Sequence, residues 1–335
     1  MLRVLVIGGT GTISRYVVKL LEVQKDIELV VVNRGNHPSV GQYESWIVDA
    51  NNMFDFSRQL EDQYFDSVID FVVYTPEQAK NRVELFQYRT KQYIFISTVV
   101  SLNQSSTYLT VQSPFGNMES MYGQSKALAE QVFQEASQSG FPLTVIRPSQ
   151  TYSDDRFPFS VKGRGCYSVM SRILNDKPVL IHGDGTSLWH MMHAEDFARQ
   201  LYALIGNPFS MGKTIFLVNP KMVSWNEIYD EIGRQLKRKI QKVYLSTHSL
   251  SKTKEFQFKE SIGGDKQYSH IYEQNTSEWL PKVSVQVDLK EGVTRYLNYL
   301  MTHSESQVEE EKFDEWCDRL IEKIESFEKE LEEQF

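Results

Sequence analysis

Residues 2–14 read LRVLVIGGTGTIS, an apolar run that leads into three closely spaced glycines. The run has the length and composition of a buried β-strand. Gly8 permits a tight turn after the strand, and Gly11 lets a diphosphate approach the backbone where the next helix begins. The third glycine position of such turns is taken by Ser14, which is small enough for close helix–strand packing. The stretch therefore predicts a dinucleotide-binding turn.

Strands and helices alternate through the first half of the chain. Such alternation predicts an α/β fold of the Rossmann type, with a doubly wound parallel sheet that binds ligands at the carboxyl ends of its strands. The predicted strands are Arg3–Ile7, Glu28–Val32, Trp46–Val48, Ser67–Phe71, Gln92–Ser97 and Leu143–Arg147. The predicted helices are Thr12–Val23, Phe54–Glu61, Pro76–Tyr88 and Ser120–Ser137.

The pattern changes twice along the chain. We assign residues 1–152 to a dinucleotide-binding domain, to which later segments are expected to return, and residues 153–303 mainly to a smaller α/β substrate domain. Thr247–Pro281 is poorly periodic and is a candidate lid. Residues 304–335 predict a charged amphipathic helix, because apolar residues recur every three or four positions from Phe313 to Leu331. That helix either packs on its own subunit or pairs between subunits.

Composition excludes several classes of protein. The formal net charge is −8 and no basic stripe stands out, which argues against nucleic acid as the main partner. The two cysteines, Cys166 and Cys317, lie in no metal-ligand spacing, so we expect no metal and a reducing compartment. No apolar run approaches the roughly 18 residues that span a bilayer. We therefore expect a soluble, cytoplasmic protein without a signal peptide.

A second motif lies about 110 residues after the glycine turn. Tyr122 and Lys126 are four residues apart and share one face of a predicted helix. A free phenol titrates near pH 10, so it is a poor base at neutral pH. A nearby ammonium favours the phenolate and lowers that pKa. The pair therefore predicts a tyrosine that exchanges a proton with a substrate hydroxyl.

With these motifs the chain resembles the extended short-chain dehydrogenase/reductase superfamily, which includes NAD(P)-dependent nucleotide-sugar epimerases, dehydratases and reductases. The resemblance covers roughly residues 1–300. The glycine turn and the segment Asn33-Arg34-Gly35 resemble an atypical branch of the superfamily. That branch includes the chloroplast stem-loop-binding proteins and bacterial epimerase/dehydratase-like proteins.

The resemblance implies roles for residues at the strand ends. Thr98, with Ser97 as the alternative, hydrogen-bonds the substrate; Tyr122 transfers the proton; Lys126 lowers the phenol pKa and holds the nicotinamide ribose. The backbone at Pro148 passes the nicotinamide, and Gln150 lines the substrate cleft.

The resemblance also implies how the dinucleotide is held. The turn contacts it through Gly8, Thr10, Gly11, Thr12 and Ile13. NAD-selective relatives place an acidic residue at the end of the second strand, where this chain has Asn33. Arg34 follows and is suited to a 2′-phosphate, so NADP is favoured over NAD. Asp49 is the expected partner of the adenine amino group.

Two positions depart from relatives of known chemistry. Dehydratases follow the catalytic Thr with Asp-Glu, whereas Thr98 is followed here by Val99-Val100, so dehydration is disfavoured. Nucleotide-sugar epimerases clamp the substrate diphosphate with an Arg that aligns with Trp189. This leaves two alternatives. Either the substrate lacks a diphosphate, and Trp189 stacks on it or packs in the core, or the substrate diphosphate binds a different cation. The candidates are Arg156, Lys162, Arg164, Arg172 and His190.

The leading hypothesis is an NAD(P)-dependent epimerase or reductase that acts on a nucleotide sugar or a sugar-like alcohol or ketone through Thr98, Tyr122 and Lys126. The alternative is a cofactor-binding protein without turnover, or an RNA-binding one similar to the chloroplast stem-loop-binding proteins. A homodimer is expected through Pro76–Tyr88 and Ser120–Ser137, as in relatives. The apolar surface predicted on the second helix comprises Ala127, Leu128, Val132 and Phe133.

Overall fold

The computed structural model describes residues 1–36, 41–274, 282 and 284–335. The chain divides into two compact units. Unit 1 comprises residues 1–152, 190–221 and 270–287, and unit 2 comprises residues 153–189, 222–269 and 288–335. Residues 275–281 of the candidate lid lie outside the described part.

Unit 1 is built on a seven-stranded sheet in which all neighbours are parallel. The strands are β1 Leu2–Ile7, β2 Ile27–Asn33, β3 Glu44–Ile47, β4 Ser67–Asp70, β5 Tyr93–Ile96, β6 Leu143–Pro148 and β7 Thr214–Leu217. Their order in the sheet is β7-β6-β5-β4-β1-β2-β3, so the order reverses beside β1. This confirms the predicted Rossmann-type fold, in which ligands bind at that reversal.

Helices cover both faces of this sheet. Alternate side chains of β1 point to opposite faces, so Val4 and Val6 belong to one core, and Leu5 and Ile7 to another. The helices of unit 1 are α1 Ser14–Glu22, α2 Met53–Gln59, α3 Pro76–Phe86, α4 Met121–Gln138 and α6 Ala194–Tyr202. Helices α1 and α6 pack together on the first core, whereas α2, α3 and α4 contribute to the second.

Local sequence explains where the site-bearing helices begin. Thr75 and Gln78 form a capping box at α3, with Pro76 in the first turn. The Ser120 side chain accepts a hydrogen bond from the Gly123 N–H and caps α4. Each cap satisfies a backbone donor that the helix leaves unpaired. The cap residue therefore lies two residues before Tyr122 and fixes the start of α4.

Unit 2 combines helices with short strands around an aromatic core that includes Phe157, Phe159, Tyr229 and Tyr296. Val179–His182 pairs in parallel with Lys242–Leu245, and Leu188–Trp189 pairs antiparallel with Val223–Ser224. The helices are α5 Tyr167–Leu174, α7 Trp225–Leu236, α8 Thr247–Ser251, α9 Leu289–Thr302 and α10 Glu311–Gln334, with a π-helical segment over Lys259–Lys266. None of the helices in the described ranges has the length and apolarity required to traverse a bilayer.

Candidate active site

The glycine turn after β1 is closed by a serine hydroxyl. Ser14 Oγ donates to the Gly8 carbonyl at 2.6 Å and accepts from the Gly11 N–H at 2.9 Å. Gly8 has a φ of +83°, and a Cβ added there would lie 2.4 Å from Val72 Cγ1. A side chain at Gly8 is therefore excluded by both conformation and space. Ser14 thus does more than the small-residue packing predicted for it, because it fixes the shape of the turn.

A cavity of about 310 Å³ opens beside this turn. Of the predicted dinucleotide contacts, Gly8, Thr10, Gly11, Asn33, Arg34 and Asp49 line it. Thr12 and Ile13 lie in the segment that leads into α1. The glycine turn at a helix N-terminus, the exposed Arg34 and the cavity at the reversal of strand order together fit a dinucleotide.

Polar side chains shape the loops around the cavity. Asn33 Oδ1 accepts from the Gly35 N–H at 2.8 Å, and Asp49 Oδ1 accepts from the Asn51 N–H at 2.9 Å. Such bonds hold the turns that follow strands β2 and β3. The end of β2 carries an amide rather than a carboxylate, and Arg34 is exposed beside it. The electrostatics at this point therefore do not repel a ribose phosphate.

A buried ion pair that the sequence analysis missed supports the same loops. Asp70, the last residue of β4, accepts from Arg82 Nε at 2.8 Å and from Tyr93 Oη at 2.8 Å. Arg82 Nη1 also donates to the Ala50 carbonyl at 2.7 Å. The ion pair is fully buried and ties β4, α3 and the loop after β3 together at the cavity wall.

The turn that begins at Thr98 packs directly against α4. Thr98 Oγ1 accepts from the Val100 N–H at 3.2 Å, and Asn117 Nδ2 donates to the Val100 carbonyl at 2.9 Å. A Cβ added at Gly123 would lie 2.4 Å from that carbonyl oxygen. Gly123 therefore permits the close approach of the two elements. This approach brings the Thr98 turn against the helix that carries Tyr122.

Tyr122 and Lys126 differ sharply in exposure. The Tyr122 side chain is 42% exposed, and its ring centroid lies 6.4 Å from that of Tyr74 on the cavity wall. Lys126 is 2% exposed, and its Nζ donates to the Ile96 carbonyl at 2.8 Å. Nζ also lies 4.7 Å from the centroid of the Tyr74 ring and 4.9 Å from that of Phe95.

This environment changes the titration of Lys126. Burial lowers the pKa of the ammonium to about 7, although the charges of Asp70 and Glu130 act in the opposite direction. The two aromatic faces also favour the charged form. A lysine poised near neutrality on the helix that carries an exposed tyrosine is suited to proton chemistry. Sequence spacing predicted the pair, but not the part played by Tyr74 and Phe95.

The Ser97 side chain is buried and takes part in a hydrogen-bonded cluster inside unit 1. Its hydroxyl donates to Glu130 Oε2 at 2.6 Å, and Arg147 Nη2 donates to Glu130 Oε1 at 2.6 Å. All three residues are buried. The Ser97 hydroxyl is thus hydrogen-bonded inside the protein, which corrects the alternative prediction that it contacts the substrate.

The two predicted site residues after Arg147 lie at the end of β6 and just beyond it. Pro148 ends β6 and is buried, and Gln150 Nε2 lies 3.5 Å from the carbonyl of its neighbour Thr151.

Trp189 lies in the core of unit 2. It is 6% exposed, and its ring centroid lies 4.7 Å from that of Trp225. The Trp189 ring therefore packs against another side chain of the unit, which is the core-packing alternative, and does not offer its face to a substrate. Arg172 is also corrected as a substrate cation, because it is 1% exposed and pairs with Asp314 at 2.5 Å and with Asp318 at 2.7 Å.

The other candidate cations differ in exposure. Arg156 and Arg164 are exposed and Lys162 is partly buried, and all three lie on one segment of unit 2. His190 is buried in unit 1 with its ring nitrogens 2.5 Å and 2.9 Å from the carbonyl oxygens of Asn219 and His270. Burial lowers the pKa of His190, which makes it a poor cation for a diphosphate.

Comparison with known proteins identifies the family of the chain. The model of the NAD dependent epimerase/dehydratase family matches residues 4–218, more than half of the chain. The chain is 22% identical over 244 residues to 2′-dehydrokanamycin reductase of Streptomyces kanamyceticus, and the match covers 71% of this chain and 67% of the reductase.

Solved structures share the fold at low identity. An epimerase of Methanothermobacter thermautotrophicus has 16% identity and a TM-score of 0.71, with 91% of this chain and 93% of that one covered. UDP-glucuronic acid 4-epimerase of Bacillus cereus, solved with UDP-glucuronic acid and NAD, has 18% identity and a TM-score of 0.71, with 90% and 99% covered. The predicted resemblance to extended short-chain dehydrogenases/reductases is confirmed. By its sequence from residue 4 to residue 218, this chain belongs to the NAD dependent epimerase/dehydratase family.

Proposed function

We propose that the protein is an NAD(P)-dependent epimerase or reductase that interconverts an alcohol and a ketone of a sugar or a sugar-like substrate. The observation that carries this proposal is the buried Lys126, with a pKa near 7, four residues after the exposed Tyr122 on a helix packed against the Thr98 turn. A bound nicotinamide dinucleotide supplies the hydride chemistry. The remaining work, which is positioning and proton transfer, falls to the chain.

Three side chains divide that work. Tyr122 Oη takes the proton of the substrate hydroxyl in one direction and returns it in the other. The ammonium of Lys126 favours the phenolate, because an opposite charge nearby stabilises the ionised form. Thr98 donates a hydrogen bond that orients the reacting oxygen. Val99 and Val100 supply no carboxylate after Thr98, so elimination of water is not part of the proposal.

A nucleotide sugar is the substrate class we favour. One solved structural relative was determined in complex with UDP-glucuronic acid and NAD, whereas the reductase relative is named for 2′-dehydrokanamycin. With Trp189 in the core and Arg172 paired to α10, the diphosphate partners that remain from the sequence analysis are Arg156, Lys162 and Arg164. NADP is favoured over NAD, because Asn33 and Arg34 replace the acidic residue that NAD-selective relatives use.

The catalytic test compares Tyr122→Phe with the wild type. The change removes the hydroxyl and keeps the ring, so turnover should fall by far more than tenfold while the dissociation constant for NADPH stays nearly constant. The substrate is identified first, by thermal shift with UDP-, GDP- and dTDP-sugars in the presence of NADP, because a bound ligand stabilises the fold. If Tyr122→Phe retains more than about a tenth of wild-type kcat, a loss below roughly 1.4 kcal/mol, Tyr122 is not the acid/base.

The cofactor is tested separately. Wild type should bind NADPH more tightly than NADH, and Arg34→Ala should remove most of that difference. Arg58→Ala, an arginine in α2, is the matched control. Equal affinities for the two cofactors in the wild type would exclude the NADP preference without touching the catalytic assignment.

We also propose that subunits pair through α3 and α4, as in relatives. Leu128 is 52% exposed on α4, and Val132 is partly buried. Ala127 and Phe133, which the sequence placed on this surface, are buried inside unit 1 and are corrected here. Leu128→Glu should therefore weaken the dimer in sedimentation velocity, and an unchanged dimer would exclude this face.

A further inference from the structure

Glu130 is a fully buried carboxylate on α4 that the proposed reaction does not use. It lies four residues after Lys126, so the two side chains share one face of the helix. Burying a charge is costly unless it is paired and hydrogen-bonded. Glu130 meets both conditions, because its carboxylate pairs with Arg147 and accepts from the Ser97 hydroxyl and from Gln134 Nε2. A charge buried at such cost one turn from Lys126 is a candidate for a role in the site.

Helix α4 is joined to the end of β5 at two successive residues. Lys126 Nζ donates to the Ile96 carbonyl at 2.8 Å, and Glu130 Oε2 accepts from the Ser97 hydroxyl at 2.6 Å. Thr98 is the next residue along the chain, and there the strand gives way to a turn. The two hydrogen bonds therefore hold the strand end against α4 at the point where the Thr98 turn begins.

Arg147 restricts the rotation of the Glu130 carboxylate. Its Nη2 lies 2.6 Å from Oε1, and its Nε lies 3.1 Å from Oε1 and 3.2 Å from Oε2. Its third nitrogen, Nη1, donates to the Val111 carbonyl at 3.0 Å. A planar guanidinium that is held at all three nitrogens keeps one orientation, and it imposes one orientation on the carboxylate that it faces. The carboxylate is therefore presented to Ser97 in a single geometry.

The charge of Glu130 also acts on Lys126. Burial lowers the pKa of the Lys126 ammonium, and the charges of Asp70 and Glu130 both oppose that effect. Asp70 is itself paired with a buried arginine on α3, and Glu130 with Arg147 on β6. The other charged or titratable side chains around this cluster are Tyr74, Arg82, Tyr93 and Tyr122. Glu130 differs from Asp70 because it also hydrogen-bonds the end of β5.

We propose that Glu130 is a positioning residue of the active site, which holds the Thr98 turn through Ser97 and places a negative charge one helical turn from Lys126. This role rests on the proposed function, because Thr98 and Lys126 share a task in that reaction. Glu130 acts through these neighbours and not on the substrate itself. The Ser97 hydroxyl, which the sequence offered as a substrate contact, thereby supports the substrate contact beside it.

Ser97→Ala tests the link to Thr98, because it removes one hydroxyl and leaves the Glu130–Arg147 pair intact. The readout is hydrogen exchange of the Val100 N–H, which donates to Thr98 Oγ1. Its exchange in the cofactor-free chain should become roughly tenfold faster, since a hydrogen bond to a charged group that holds the turn is lost.

Ser67→Ala is the matched control for this measurement. Ser67 is also a buried hydroxyl of the same sheet, and it donates to the Gln92 side chain at 2.7 Å. The control should leave exchange of the Val100 N–H nearly unchanged. Equal exchange rates in the two variants would overturn the proposal.

Glu130→Gln tests the charge. Glutamine keeps the size of the side chain and can still accept from Ser97, but it places no negative charge beside Lys126. Lys126 is charged below its pKa, so the pH at which its ¹³Cε signal titrates should fall by roughly one unit. Glu135→Gln, an exposed residue on the same helix, should leave that titration unchanged. An unchanged midpoint in Glu130→Gln would overturn the proposal, and if this variant does not fold, Ser97→Ala still decides.

The pH dependence of turnover separates positioning from a merely structural role. The ratio of the Glu130→Gln kcat to the wild-type kcat should fall as the pH rises from about 5.5 to 8, since the variant loses its ammonium at lower pH. A constant ratio over this range would contradict the proposal. If Tyr122→Phe stays active, the proposed function fails, whereas the exchange and titration measurements still show whether Glu130 holds Thr98 and Lys126.

Discussion

Two regions of unit 1 bury a positive charge beside the sheet, but they do so differently. At the end of β4, Arg82 is fully buried and meets the carboxylate of Asp70 at 2.8 Å. On α4, Lys126 is almost as deeply buried, yet its Nζ meets a carbonyl oxygen and two ring faces. Asp70 and Glu130 act on Lys126 through space. A paired cation holds the fold, whereas an incompletely compensated one titrates near neutrality and is available for proton chemistry.

Removing the cation of the buried Arg82–Asp70 pair should have the largest effect on the free energy of unfolding. Arg82→Met leaves the Asp70 carboxylate buried without its cationic partner and removes the tie to the Ala50 carbonyl. We expect the free energy of unfolding to fall by about 3–5 kcal/mol, measured by urea denaturation at pH 7. Lys80→Met, an exposed cation on the same helix, should change it by less than about 0.5 kcal/mol. A loss below about 1 kcal/mol for Arg82→Met would remove the distinction between the regions.

Replacing Lys126, the incompletely compensated cation, should raise the free energy of unfolding instead of lowering it. Below pH 7, Lys126 is charged in both folded and unfolded states, and the folded state bears the full cost of burying it. Above pH 7 the folded state releases the proton, whereas the unfolded state keeps it up to about pH 10.5. Lys126→Met should therefore stabilise the protein by about 1–4 kcal/mol at pH 6, with loss of turnover.

The gain from Lys126→Met should shrink as the pH rises from 7 to 10, because wild type then bears less of the cost. Unfolding curves at pH 6, 8 and 9.5 measure this trend, with Lys80→Met as the control. A destabilising effect at pH 6 would show that Lys126 is compensated as fully as Arg82.

Changing the aromatic cover should have the smallest effect. Tyr74→Leu removes the ring face 4.7 Å from Lys126 Nζ, so the charged form loses about 1 kcal/mol and the pKa of Lys126 falls by less than about one unit. Tyr74→Phe keeps the face and should leave that pKa nearly unchanged. The ¹³Cε chemical shift of Lys126 reports its titration directly. Equal shifts in the two variants would assign the effect to the hydroxyl instead.

Local patterns in the sequence were sufficient to predict the main strands and helices of unit 1. The β1 strand, the glycine turn and α4 with Tyr122 and Lys126 follow from periodicity and caps within about 20 residues. Asp70 and Arg82 were missed because their pairing appears only when β4 and α3 pack together. Arg172 was misassigned for the same reason, since its partners lie more than 140 residues away.

Burial was the other quantity that the sequence did not provide. Trp189 has the same chemistry whether it lies in a cleft or in a core, and only its packing on Trp225 decides between them. Ser97 and Thr98 are adjacent hydroxyls at one strand end, yet the Ser97 side chain turns to Glu130 in the interior. Alternation along a strand separates such neighbours only when the direction of the first side chain is known.

The Ser14 hydroxyl that bridges Gly8 and Gly11 has a thermodynamic consequence for ligand binding. A glycine-rich loop is conformationally free in isolation, and ordering it on binding would subtract from affinity. Here the loop is already ordered by an internal hydrogen bond, so a ligand meets a preorganised surface. The same bond occupies the Gly11 N–H, which leaves the neighbouring backbone donors and the Thr10 hydroxyl to receive phosphate oxygens. A ligand that binds at this turn would therefore pay little of the entropic cost of ordering it.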